Sequence, residues 1–258
     1  AVLDLDPRDV SINGRLALAF GARGTGTALA HYEPGKVVIN LTKLGGAGTL
    51  AHEWWHFLDD TLARLHREDG VKDKLSATDP KVLERSASPV LRAMAKVQSA
   101  MLQGDGRETI AGDPKVGGGS WYPLDSALRR TGNNPQAALD AVLKEYPSYA
   151  SDPRKRKTLK KMVSYLCRKC GVEALTVATG RSAFLVDAQA RGKYWALPHE
   201  MAARAFEAFI HERLRERGRG NNYLVYDRNL GPRRPYPQGD ERSRINEGFA
   251  ELIAAVHD

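Results

Sequence analysis

The chain has 258 residues, 42% of them hydrophobic, with 39 Lys+Arg against 31 Asp+Glu and a formal net charge of +8. That length buries one substantial core and is short for two independent ones, so a single domain over residues 1–258, with elaborations, is expected. No apolar run approaches the roughly 18 residues of a membrane span, AVLDLDPRDV lacks a basic-then-apolar leader pattern, and Cys167 and Cys170 alone cannot form a disulfide framework; the expectation is a reducing cytoplasm and no membrane.

From Gly14 the sequence GRLALAF alternates Leu16, Leu18 and Phe20 with small residues and reads as a strand, followed by the glycine-rich turn ARGTGT. Two more strands, Ala28 to Tyr32 and Lys36 to Leu41, flank the turn Glu33-Pro34-Gly35. A small β-meander is therefore expected just before the helix that follows, the two together spanning residues 10–66. An edge strand beside that helix can pair with an extended peptide.

That helix lies in Gly45 to Asp60, GGAGTLAHEWWHFLDD. Residues four apart share one helical face, so His52 and His56 can aim two imidazoles at one Zn²⁺. Glu53, about 100° round from His52, can take a proton from water at the metal and pass it to a leaving group. Leu50, Trp54, Phe57, Leu58, Leu62 and Leu65 form the expected apolar stripe, with His52, His56, Asp59 and Ala63 on the other side. Asp59 and Asp60 are candidate acceptors for the second N–H of a ligand histidine, with solvent exposure the plain alternative. Catalytic zinc generally takes three protein ligands, so one more is required.

Residues 79–171 read as mostly helical. Asp79-Pro80, Asn134-Pro135 and Asp152-Pro153 each put a capping side chain before a proline suited to a first helical turn, and Pro89 is expected to break the first helix. Cys167 and Cys170 fall at the end of the third helix, which Gly171 stops; a lone CxxC there is chiefly structural. Residues 151–258 hold 21 Lys+Arg against 13 Asp+Glu, whereas residues 1–150 balance at 18 each. The basic runs 154–161 and 213–234 can meet nucleic acid or an acidic protein, although a solvated helix face is the simpler reading.

In residues 190–258, KYWALP leads into HEMAARAFEAFIHERLRERG, a helix with core stripe Ala202, Phe206, Phe209 and Ile210. Glu200 flanks that stripe in the first turn, where a partly buried carboxylate can reach a metal. Glu247 competes: Asn246-Glu247 with Glu251 has the pattern of the glutamate helix of thermolysin-like enzymes. Ile245, Phe249, Leu252 and Val256, however, make an apolar stripe opposite Glu247 and Glu251, which favours solvent for both and Glu200 as the ligand.

LAFGARGTG, AHYEPGKVVINLTK, GAGTLAHEWWHFLDD, KYWALPHEMAARAFEAF and YPQGDERSRIN, in that order, resemble the zincin-like metallopeptidase domain of large polyvalent proteins of phages and mobile elements, and more distantly the anthrax-lethal-factor-like zincins. The resemblance implies a helix-rich α+β fold with the small sheet packed on the HExxH helix. It also implies His52, His56 and Glu200 as zinc ligands, Glu53 as general base and acid, Tyr194 as a donor to an oxyanion, and a protein or peptide substrate. Trp55 departs from it, standing where relatives commonly have Gly, so a bulky indole is expected to flank the metal helix and either narrow the cleft or reposition a strand. The alternative functions are a basic nucleic-acid-associated module and a catalytically silent zinc-binding module.

Overall fold

The computed structural model describes residues 2–21, 29–43, 46–116, 120–226 and 235–257. In chain order the elements are α1 (Pro7–Ser11), β1 (Ala17–Phe20), β2 (Ala30–Glu33), β3 (Val38–Leu41), α2 (Leu50–Leu65), α3 (Pro80–Glu84), α4 (Pro89–Leu102), β4 (Arg107–Ala111), α5 (Tyr122–Arg130), α6 (Pro135–Glu145), α7 (Ser148–Ser151), α8 (Arg156–Cys170), β5 (Ala174–Ala178), α9 (Ala183–Arg191), α10 (Pro198–Glu216) and α11 (Gly239–His257). The fold is α+β and rich in helix, as expected. No described helix is long and apolar enough to cross a membrane. Contacts divide the chain into one unit of Ala1–Leu102 with Asp187–Asp258 and a second of Gln103–Val186.

In the first unit the three expected strands form, but not as a meander. Their order is β1-β3-β2, with β1 parallel to β3 (Ala17 opposite Val38) and β2 antiparallel to it (Ala30 opposite Leu41). The reason lies in burial. Val38-Ile39-Asn40-Leu41 is buried at every position and takes the centre, whereas β1 is mostly exposed and can only be an edge. Val37, assigned to a strand from its alternation, sits before β3 at a φ of 53°.

The other edge, β2, lies against α2: Tyr32 packs edge-on to Phe57 with ring centres 5.8 Å apart and donates its hydroxyl to Asp60 at 3.0 Å. Thr49 makes no side-chain cap for α2. Its leading amides instead find backbone acceptors, Gly48 N–H on the Tyr223 carbonyl and Ala51 N–H on that of Leu224, both at 3.1 Å. This approach needs Gly48, which has a φ of 82° and where a Cβ would stand 2.2 Å from Cβ of Tyr226.

α2 is not a one-sided amphipathic helix. Asp59 and Ala63, expected opposite the apolar stripe, are each 1% exposed, and Leu65, expected within it, is 73% exposed. The helix is enclosed by β2, β3, α10 and the short turn Leu75–Ala77, so most of its circumference is interior. Trp55 is fully buried, its ring 5.3 Å from that of Phe206 on α10 and 5.0 Å from that of Phe249 on α11. α11 in turn packs on α4, Gly248 lying where a Cβ would meet Val97 Cγ2 at 2.9 Å.

Asp79 caps α3 through Lys81 N–H, and Pro89 opens α4, so the break expected at that proline is present. Both helices, within the stretch 79–171, fold with the first unit.

The second unit pairs β4 with β5 antiparallel, Arg107 opposite Ala178 through Ala111 opposite Ala174. Its core collects Leu124 and Leu128 from α5, Leu139 and Val142 from α6, Leu159, Val163 and Leu166 from α8, and Val177 from β5. Asn134 caps α6, accepting from Ala137 N–H at 3.0 Å, and Gly171 ends α8 in the left-handed conformation. Cys167 is buried in this core and Cys170 is partly buried, both as free thiols.

Trp55→Ala is expected to lower stability by about 3–5 kcal/mol, the range for removing a fully buried large aromatic. Trp55→Phe, which retains part of the packing against Phe206 and Phe249, is expected to be less destabilising; urea unfolding of the three proteins is the measurement.

Candidate metal centre

α2 and α10, 144 positions apart at their key residues, pack against each other through Phe206, whose ring lies 5.5 Å from Trp54 and 5.3 Å from Trp55. That packing brings the first turn of α10 to the histidine face of α2. His52 Nε2 lies 3.5 Å from Glu200 Oε2, and His56 Nε2 lies 3.5 Å from Glu200 Oε1. One ligand atom from each of the three residues falls within 4.8 Å of the other two. Two donors on a tetrahedral zinc ion with bonds of about 2.0–2.1 Å are separated by about 3.3 Å, so the two 3.5 Å distances to Glu200 and this nitrogen and oxygen donor set suit that ion.

The electrostatics favour a cation. Glu53, Glu200 and Glu207 are 7%, 7% and 3% exposed and all line one pocket of about 210 Å³ with His52, Tyr194 and Tyr236. Burial disfavours the charge on His52, but the carboxylates of Glu200 and Glu207 outweigh it and raise its pKa. Burial pushes the Glu200 pKa up, but the neighbouring His52 and the Tyr194 hydroxyl together bring it below its ordinary value. His56 is driven toward neutrality by burial and by His52.

Glu53 points into the same cleft. Burial raises its pKa, His52 lowers it, and Glu200 raises it again. The backbone of Tyr32 on β2 lowers it as well. Tyr194 donates its hydroxyl to Glu200 Oε2 at 2.8 Å, and burial together with that bond raises its pKa. A second pocket of about 300 Å³ continues along β2, lined by Ala30, His31, Tyr32, Asp60, Lys74 and the central His52, Glu53, His56 and Glu200.

All five residues expected at the site, His52, Glu53, His56, Tyr194 and Glu200, thus meet in one cleft. Glu247 is exposed and Glu251 pairs with Lys96, so the competing acids lie outside it. Trp55 does not narrow the cleft: its indole is core, on the side of α2 that faces Phe206 and Phe249. Neither aspartate supports a ligand histidine. Asp59 accepts from Ser76 N–H at 2.7 Å and Ser76 hydroxyl at 2.5 Å, Asp60 serves Tyr32 and Arg64, and His56 Nδ1 is buried with no hydrogen-bond partner among the described residues.

Three further residues belong to the centre. Glu207 Oε2 accepts from the Tyr236 hydroxyl at 2.7 Å and stands 3.7 Å from His52 Nδ1, a charge contact rather than a hydrogen bond. Arg204, 3% exposed, stacks on Trp195 at 4.9 Å and donates to the carbonyls of Pro235 and Trp195, placing a buried positive charge beside the acids. His199 Nε2 lies 3.8 Å from Glu200 Oε1. The heptad offset from Glu200 to Glu207 places the two on one face, and that spacing was the available signal for Glu207.

Glu207→Gln is expected to weaken divalent-cation binding about 10–100-fold, the usual cost of removing a carboxylate that orients a ligand histidine. Competition with a chromophoric chelator gives the affinity, with the thermal midpoint of the metal-free protein as the check on folding.

Residues 186–258, which include Tyr194, Glu200, Glu207 and Tyr236, match a family model described as Large polyvalent protein-associated domain 1. No curated protein and no solved structure matches the chain. The match supports the large-polyvalent-protein context that the sequence resemblance implies, for the part of the chain that supplies the α10 side of the centre.

Proposed function

We propose that this protein is a zinc-dependent metalloendopeptidase, with His52, His56 and Glu200 as the metal ligands and Glu53 as the proton carrier. The observation that carries the reading is the convergence of those three donors, within 4.8 Å of one another, beside a buried carboxylate on the same helix turn. When bound, zinc supplies a Lewis acid that acidifies water and polarises a carbonyl. Glu53, with its carboxylate kept basic by burial and by Glu200, takes the proton from water and delivers it to the departing amine. The Tyr194 hydroxyl, at the mouth of the cleft, turns from Glu200 to donate to the developing oxyanion.

A peptide is the substrate class that fits the walls. β2 is an edge strand, and its Ala30, His31 and Tyr32 line the cleft, so the free backbone groups of an extended chain can pair along it. Pocket space on both sides of the central His52, Glu53 and Glu200 accommodates residues on either side of a cleaved bond, which favours internal cleavage over trimming from an end. We assign the reaction to the cytoplasm of a bacterial host, reached by synthesis there or by phage delivery, in keeping with two free cysteines and the polyvalent-protein match.

Purified protein should carry one zinc per chain by elemental analysis. His52→Ala and Glu200→Ala should lose it, and Glu247→Ala should keep it. Glu53→Gln should retain the metal while cleavage of a denatured protein substrate falls by about 10²–10⁴-fold. Metal-free wild type, or proteolysis unchanged in Glu53→Gln, refutes the assignment.

A further inference from the structure

The positive charge of the chain is concentrated in the second unit: residues 103–186 hold 14 Lys+Arg against 8 Asp+Glu, so +6 of the total +8 resides there. Within that unit it gathers on α8. From Pro153 to Val172 there are eight basic residues and no acidic one. The apolar side of the helix, Leu159, Met162, Val163 and Leu166, is buried in the core of the unit. Lys157, Lys160 and Lys161 lie on the opposite arc and are exposed.

Three carboxylates of the unit pair with other cations. Asp125 takes Lys169, Glu108 takes Arg156 and Arg181, and Asp152 takes Arg154. Among the described residues, none pairs with the side chains of Lys157, Lys160 or Lys161. This arrangement costs stability. Lys157 and Lys161 are like charges one turn apart, and Arg156 and Lys157 stand in a first turn that has no acidic residue and no side-chain cap, against the helix dipole. An ordinary solvated helix face alternates sign and avoids both penalties. Lys157 and Lys161 are about 6 Å apart along the axis, so the face presents its charges as a short row.

We propose that the outer face of α8, centred on Lys157, Lys160 and Lys161, binds the phosphate backbone of nucleic acid without reading its sequence. A linear array of phosphates supplies the negative charge that the fold itself withholds from this face, and the affinity comes from counterion release. The inference is independent of the metal centre and leaves the second basic run, 213–234, aside: Arg213 and Arg217 pair with Asp4, and residues 227–234 lie outside the described residues.

The test is fluorescence anisotropy with a labelled DNA duplex of arbitrary sequence, from about 50 to about 200 mM salt. The combined variant Lys157→Gln/Lys160→Gln/Lys161→Gln is compared with Lys72→Gln/Arg215→Gln/Arg219→Gln, which removes the same charge from exposed positions of the first unit. Wild type and the second variant should bind alike. The α8 variant should bind at least about tenfold more weakly, with the salt slope shallower by roughly 0.9 for each phosphate that is no longer neutralised. Its thermal midpoint should equal or exceed that of wild type, because like charges have been removed, and this separates weaker binding from damaged structure. Equal weakening in both variants, no binding by wild type at low salt, or binding of polyglutamate as tight as that of DNA would overturn the proposal.

Discussion

The contact on which the site depends is Phe206 against the adjacent pair Trp54 and Trp55. Neighbouring residues on a helix point about 100° apart, so a single ring that touches both indoles fixes α10 in rotation as well as in position on α2. Glu200 is six residues earlier on the same helix. With that rotation fixed its carboxylate can only arrive at the histidine face, one oxygen toward each Nε2. Phe249 closes the cluster from α11, and Gly248 lets α11 approach α4 closely enough for it to do so.

Around that contact the protein gathers acids in a place where they are costly. Three carboxylates are nearly buried beside two imidazoles, with Arg204 as the buried countercharge. Charges held out of water survive only when paired, and here the pairing is shared among His52, Arg204 and the hydroxyls of Tyr194 and Tyr236. Replacing buried, paired charges with apolar side chains is often neutral or stabilising, so stability alone does not account for this cluster.

The two units differ in how they treat charge. In the first, cations and acids nearly balance and the unusual groups are interior. The second carries most of the excess positive charge on the outside of a helix whose inner face is conventional core. α8 is thus held in place by Leu159, Val163 and Leu166 rather than by its surface, which frees that surface from any duty to stabilise the helix.

Local pattern alone determined the HExxH helix, its i, i+4 histidines, the caps at Asp79 and Asn134 and the break at Pro89, because each rests on spacing within one element or on one apolar stripe. Tertiary structure decided the rest. The strand order β1-β3-β2 and the pairing of β4 with β5, 67 residues apart at Thr109 and Thr176, depend on which strand is buried on both faces and on which distant edge is free. Trp55 looked like an obstruction because it stands where relatives commonly have Gly, and a wheel that assigns one apolar side to a helix gave the indole no other place. α2 has several, and its neighbours claimed the indole for the core and Asp59 for Ser76. Tyr236 and Arg204 were silent in the sequence for the same reason: a buried polar residue is identified by what surrounds it, and their partners, Glu207 and the Pro235 carbonyl, lie about 30 residues away and only folding brings them near.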